Sequence, residues 1–313
     1  MKKRTLYYLE KANGNYVSGE NIAAELGVSR MAVSKAVREL RREGAIIDSS
    51  TKCGYKLIKT TDTLYSESVL AHLSYERRVR CYDVVESTND TAKKLLAEGA
   101  PHGTTIIAEH QTKGRGRRGR HFFSPSQSGL YMSVILRPEQ LEGSVLYTVA
   151  AAVAARRAIA EYSPDAKIKW VNDVYVKDLK VSGILCEAVS ELESGRLEAV
   201  ICGIGINLTA PEGDFPIDIR GKAGYISDAP IHRGKLAARL AEELDLLTHL
   251  SSEELIAEYS SHMMLTGKEI YYTHNNEKKS GRVLGVDSAG GLIVECGGVR
   301  EILRSGEVML EKF

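Results

Sequence analysis

The spacing of apolar residues changes character twice along this chain of 313 residues, and each change marks a separately built unit. Residues 1–57 repeat at a helical period and then close in a short hairpin. Residues 104–262 alternate compact, β-branched runs with long helical patterns, and residues 267–313 return to short strands punctuated by glycine. A single hydrophobic core stops growing at about 250–300 residues, so a chain of this length divides. The polar, Thr/Ser-rich segment Ile58–Ser68 (IKTTDTLYSES) is read as the first boundary.

In the first unit, Ser18 can cap a short helix that turns Ile22, Ala23 and Leu26 inward, and Gly27 ends it. Ser29 can cap the next, Arg30–Arg42. At about 100° per residue, Val33, Ala36, Val37 and Leu40 share one side. Arg30, Ser34, Arg38 and Arg41 share the other, with Lys35 and Arg42 at its margin. Ala45–Asp48 and Gly54–Leu57 then read as a β-ribbon. Helix, short turn, basic helix and ribbon make a winged helix-turn-helix, so Ser29, Arg30, Ser34, Lys35, Arg38 and Arg41 are the candidates to meet DNA. Charge agrees with that division. Residues 1–60 carry 12 Lys/Arg against 6 Asp/Glu, and the remaining residues 30 against 35. A basic head on a mildly acidic body implies different partners for the two.

Composition removes several classes. With 43% hydrophobic residues and a net charge of +1, the chain is not intrinsically disordered. It has no apolar run of about 18 residues, so no membrane-spanning helix is expected, and the start MKKRTLYYLEKANG is not a signal peptide. Cys53, Cys81, Cys186, Cys202 and Cys296 form no CxxC pair, which argues against a disulfide framework or a zinc site and for a reducing, cytoplasmic location.

Strands are predicted at Thr104–Glu109, Leu130–Leu136, Lys167–Trp170, Gly183–Ala188 and Leu197–Ile204, and helices at Val145–Tyr162, Arg233–Leu250 and Glu253–His262. Between the first two strands lies Lys113–Arg120, KGRGRRGR, with five basic residues in eight. Its glycines allow close approach of the backbone, and its arginines can wrap a polyanion. Like-charge repulsion predicts disorder until an anion arrives. The glycines also spell GxGxxG, but HFFSP follows instead of a helix, which excludes the dinucleotide fingerprint; no GxxxxGK[ST] occurs either.

Ser87-Thr88-Asn89, Gln111, the GRGRRGR loop, Lys169-Trp170-Val171-Asn172-Asp173, Lys180-Val181-Ser182-Gly183 and Gly203-Ile204-Gly205-Ile206-Asn207, in that order, resemble the biotin–protein ligase family. With the N-terminal head, the whole chain resembles its bifunctional form, which also represses biotin biosynthesis genes. The resemblance implies an α+β multidomain fold. It comprises a winged helix-turn-helix (1–63), a central α/β ligase domain with a mixed sheet like that of class II aminoacyl-tRNA synthetases and biotin–lipoate ligases (64–265), and an SH3-like β-barrel (266–313). It implies ATP and biotin as substrates, with Mg²⁺, and biotinyl-5′-AMP as intermediate. The implied partners are a biotin carboxyl carrier domain, operator DNA and a second copy of the chain once biotinyl-AMP is bound; no membrane is involved.

Residue by residue, the family places Lys180 between carboxylate and phosphate, with Arg115 and Arg117 closing over biotin and phosphates. Ser87, Thr88, Asn89, Gln111, Gly114, Gly116, Gly183 and Gly203 would shape the biotin pocket. Arg117, Arg118, Arg120, Phe122, Lys169, Asn172, Asp173 and Asn207 would meet ATP, with Asp173 holding the Mg²⁺. A ureido ring has two N–H donors and one carbonyl, which short hydroxyl and amide side chains match. Ser87 could equally be only a helix N-cap. Two positions depart from the family pattern. Val171 stands where proline is usual, which predicts a looser turn. His121 and Phe122 replace the tryptophan expected over adenine. Three alternatives stay open at this point: a ligand-sensing repressor without ligase activity, for which Lys180 would be dispensable; a lipoate or octanoate transferase, which would lack the arginine loop and the head; and a nucleic-acid-modifying enzyme, which the basic patches allow but for which no nuclease or polymerase carboxylate cluster is present.

Overall fold

The computed structural model describes residues 1–61, 63–138, 144–191, 195–274 and 277–310. Three helices open the chain: α1 (Lys2–Lys11), α2 (Gly19–Leu26) and α3 (Arg30–Arg42). The Ser18 hydroxyl caps α2 by accepting from the Glu20 N–H, and Ser29 caps α3 by accepting from the Ala32 N–H. Gly27, at φ 65°, ends α2 in the left-handed region that glycine adopts without strain. The apolar side of α3, Val33, Ala36, Val37 and Leu40, is buried, packing with Leu6, Leu9 and Ile22; each fully buried Leu or Ile contributes roughly 1.5–3 kcal/mol. An antiparallel ribbon follows, β1 (Ile46–Ser50) with β2 (Gly54–Lys59). Both strands run two residues beyond their predicted ends.

The polar segment read as the first boundary packs as a joint between head and body. It ends β2, then forms α4 (Ser66–Leu70), in which Ser68 and Val69 are buried. Its hydroxyls are there because a carboxylate is. Glu10 of α1 is wholly buried, and its Oε1 accepts from Ser68 Oγ at 2.8 Å and from Thr60 Oγ1. Its Oε2 lies 2.7 Å from Nε2 of both His72 and His232. Burial pushes the Glu10 pKa up, but the hydrogen bonds from His232 and His72 outweigh it and hold the group at about 2. The charge survives burial because both of its oxygens are engaged.

The central unit runs β3 (Val79–Val85), α5 (Thr88–Ala97), β4 (Thr105–Gln111), β5 (Gly129–Leu136), α6 (Ser144–Ala160), β6 (Lys167–Lys169), β7 (Asp173–Val176), β8 (Leu179–Ser190), β9 (Leu197–Asn207), α7 (Arg233–Thr248) and α8 (Ser252–Ser261). Its strands form a seven-stranded sheet, β3-β4-β5-β9-β8-β7-β6, parallel between β3 and β4 and antiparallel elsewhere. The mixed sheet expected from the family is present. On one face the alanine-rich α6 packs closely, with Ala150–Ala155 fully buried; on the other α5 sets Ala92, Leu95 and Leu96 against Ile106, Ile135, Ala199 and Ile201. Arg157 of α6 binds Glu243 of α7 at 2.6 Å and Glu258 of α8, which fixes the three helices together.

The last unit is a five-stranded antiparallel sheet, the strand complement of the small SH3-like barrel. It is built from β10 (Glu269–His274), β11 (Glu277–Val286), β12 (Leu292–Cys296), β13 (Val299–Leu303) and β14 (Val308–Met309), in the order β13-β12-β11-β10-β14. Among the described residues no helix is long and apolar enough to cross a membrane.

Candidate active site

Strands β8 and β9 carry glycines where their neighbours carry bulk, and the trough this leaves is the floor of a cleft of about 1230 Å³. Its lining includes Ser87, Thr88, Asn89, Gln111, Arg115, Gly116, Arg117, Arg118, Arg120 and Phe122. Lys169, Asn172, Lys180, Gly183, Gly203 and Asn207 line it as well. Of the candidate residues for biotin and ATP, Gly114 and Asp173 alone lie outside that lining, and both touch it. A Cβ on Gly114 would meet the Phe122 carbonyl oxygen at 2.3 Å, so only glycine fits at the base of the loop. Asp173 pairs its Oδ1 with Lys180 Nζ at 2.6 Å.

One end of the cleft is a polar lattice. The Thr88 N–H donates to Gln111 Oε1 at 2.8 Å, and Gln111 Nε2 donates to Ser124 Oγ at 2.9 Å. Asn89 Nδ2 donates to the Leu185 carbonyl at 3.1 Å and to Glu187 Oε2 at 2.8 Å, while Ser133 Oγ sits 2.6 Å from Asn89 Oδ1. Asn89 therefore enters the site already oriented. Ser87 occupies the N-cap position of α5 yet makes no side-chain capping bond, so helix capping alone does not account for a serine there. Gly203 admits this arrangement, since a Cβ there would lie 2.2 Å from Asn89 Oδ1.

The other end is cationic. Lys180 Nζ lies beside Gly183, where an added Cβ would come within 3.2 Å of it, and the salt bridge to Asp173 aims it. Arg117 Nη1 donates to Asn172 Oδ1 at 3.1 Å, and Asn172 Nδ2 donates to the Ile184 carbonyl. Burial lowers the pKa of Arg117 and of Lys169, with the Asp173 carboxylate opposing it in both; half-buried cations of this kind favour an anionic ligand. Lys169 also stands 5.5 Å over the Tyr175 ring.

The arginine loop makes a 3₁₀ turn at Arg117–Gly119. Its self-repulsion is cancelled by acids of the fold. Arg115 Nη2 lies 2.6 Å from Asp90 and 3.0 Å from Glu187, and Arg120 makes two bonds to Glu307, between β13 and β14, at 2.8 and 2.5 Å. Arg118 is exposed, at φ 57°. Phe122 lays its ring along the glycine trough, where a Cβ on Gly205 would meet it at 2.5 Å. Nor is the turn at Val171 loose. Val171 is buried and its carbonyl accepts from Tyr259 Oη, and Trp170 Nε1 donates to the Gly290 carbonyl at 3.0 Å.

Sequence reasoning misses Ser133, Glu187, Asp90, Gly205 and Glu307. Gly205 is the one with a visible signal, as the second glycine of Gly-Ile-Gly-Ile-Asn; the others act through partners far away in the chain.

In the head, Arg30, Lys35, Arg38 and Arg41 are exposed. Arg41 donates to the Ile47 carbonyl at 2.6 Å, bracing the ribbon, and Arg30 lies 3.1 Å from Glu20. Ser29 is exposed and its Oγ caps the helix, and Ser34 is partly exposed.

Known proteins repeat this layout. Residues 81–207 match the biotin/lipoate A/B protein ligase family, residues 2–56 an HTH domain, and residues 266–310 the biotin protein ligase C terminal domain. The bifunctional ligase/repressor BirA of Bacillus subtilis (strain 168) is 32% identical over 317 residues, covering 96% of each chain. That of Escherichia coli (strain K12) is 29% identical over 310 residues, covering 96% of this chain and 94% of its own. A structure of the biotin protein ligase from Aquifex aeolicus in complex with biotin and ATP superposes with a TM-score of 0.62 at 28% identity, over 75% of this chain and 98% of that one. With a DNA-binding head, a ligase core and a C-terminal sheet all matched along nearly its full length, this chain belongs to the biotin protein ligase family, in its bifunctional ligase/repressor form.

Proposed function

We propose that the protein joins biotin to ATP and passes the biotinyl group to a lysine of a biotin carboxyl carrier domain, and that the product of the first step makes it a DNA-binding repressor. The observation that carries this is the meeting of Lys180, Arg117 and Lys169 over a glycine floor, next to a neutral hydrogen-bonding pocket. In the first step a biotin carboxylate oxygen attacks the α-phosphorus of ATP and pyrophosphate leaves. Two anions must touch, and a compact ammonium at Lys180 lowers that barrier where charge builds. In the second step the carrier lysine's amine attacks the acyl carbon and AMP leaves.

Ser87, Thr88 and Gln111 would hold the ureido ring, with Asn89 fixing their spacing. Arg115, Gly116 and Arg118 would close over the intermediate, and Arg120 and Asn207 would flank the phosphates. Phe122 would cover the purine. Asp173 would hold Mg²⁺ at the cationic end, where the ion would supply charge neutralisation for the phosphates. We place the units at 1–63, 64–265 and 266–313, assign the protein to the cytoplasm, and expect two copies to pair when biotinyl-AMP is bound.

Incubating the protein with ATP, Mg²⁺, biotin and a carrier domain should raise the carrier's mass by one biotinyl group. A carrier left unchanged, with DNA binding still responsive to biotin, would favour the repressor that only senses its ligand. For the head, Arg38→Ala should weaken operator binding and reduce the slope of log K against log salt by about 1. An unchanged slope in filter binding would remove Arg38 from the interface.

A further inference from the structure

Outside the cleft, the described residues hold one group that could ligate a metal: Glu10, His72 and His232, whose ligand atoms lie within 4.8 Å of one another. They come from three places, namely α1 of the head, the turn after α4, and the N-cap of α7. Both imidazoles aim Nε2 at the same carboxylate oxygen, 2.7 Å away. The other oxygen is held by Thr60 and Ser68. Two imidazole nitrogens and one carboxylate oxygen, with hydroxyls orienting the carboxylate from behind, are the donor set and outer support of a three-ligand zinc site.

We propose that Glu10, His72 and His232 form a Zn²⁺ site that joins the DNA-binding head to the ligase body. Entry of the ion would replace the two ring protons now directed at Glu10. His232 Nδ1 accepts from the Lys235 N–H at 3.1 Å, so its proton sits on Nε2. Metallation at Nε2 moves that proton to Nδ1 and gives up this one capping bond in exchange for a coordinate bond. Bonds of about 2.0–2.1 Å place tetrahedral ligands about 3.3 Å apart, so the nitrogens need retreat from the carboxylate by only a fraction of an ångström. Imidazole nitrogens select zinc-class ions over Mg²⁺. His232 keeps 30% of its side chain exposed, which leaves a way in, while Glu10 has none. The ion would hold α1 and α7 in one orientation, so its effect reaches both units.

The test uses the full chain with Cys53→Ser, which removes the exposed thiol, stripped by chelator and titrated with Co²⁺ alone and then with Zn²⁺. The expected result is one Co²⁺ per chain with the visible absorption of low-coordinate cobalt, displaced by Zn²⁺, and a higher melting temperature with the ion. His72→Gln and His232→Gln should each lose more than about 100-fold in affinity, and Ser68→Ala about 10-fold through the lost support of the carboxylate. Should either histidine variant fail to fold, Ser68→Ala still decides. No stoichiometric cobalt in the parent protein, or affinity unmoved by these substitutions, would mean that the cluster is a hydrogen-bonded clasp and nothing more.

Discussion

Lys180→Ala is expected to slow biotin-dependent pyrophosphate release by about 10³-fold, equivalent to roughly 4 kcal/mol of transition-state stabilisation. In the proposed mechanism the ammonium touches both reacting anions, and Asp173, 2.6 Å away, aims it. Substrate binding should change less than turnover, because Arg117 and Lys169 still attract the polyphosphate. Lys180→Arg should not restore the rate. A guanidinium is larger and flat and does not reproduce a compact point charge. The variant should remain folded, since the side chain is about a third exposed. Single-turnover formation of the adenylate, read by release of labelled pyrophosphate, is the measurement. A loss below about tenfold would take Lys180 out of the chemistry.

Gly203→Ala should fail in a different way. Its methyl group would occupy the place of Asn89 Oδ1, at 2.2 Å. Asn89 would be driven out, leaving Ser133 and the Leu185 carbonyl without a partner they now share. Overpacking and the lost buried hydrogen bonds of Asn89 together should cost about 3 kcal/mol, lowering the melting temperature by roughly 6–12 °C. Biotin affinity should fall about 100-fold, since an oriented polar pocket is lost, while ATP affinity falls far less. The decisive comparison adds Asn89→Ala. If the clash is the cause, the double variant is more stable than Gly203→Ala alone, whereas strictly additive losses would show that Gly203 matters for another reason.

Much of the fold and of the site is legible in the amino-acid sequence alone. Helix α3 can be placed because four apolar residues recur at helical spacing and a serine precedes them, all within a helix of 13 residues. The arginine loop and Lys180 can be chosen because their chemistry is carried by neighbours in the chain. Strand β3 escapes because Val79–Val85 mixes Arg80 and Asp83 into a partly exposed edge strand, which erases the apolar run that betrays a central one. The joint at 58–68 escapes for a related reason. Its hydroxyls look like a solvated linker until Glu10, 50 residues before Thr60, supplies the buried charge they serve. The partners of the loop are likewise unreadable, because Asp90, Glu187 and Glu307 lie 25, 72 and 187 residues from the arginines they neutralise.

Those three acids also act as a threshold. A ligand reaching Arg115 or Arg120 must offer more than the carboxylates already there. A lone orthophosphate or a passing carboxylic acid competes on roughly equal terms and gains little. On the proposed function, a triphosphate brings several charges on one framework and would compete better with the resident acids. Discrimination against simple anions, abundant in any cell, would then lie in the resting contacts of the loop as much as in the contacts it makes with its substrate.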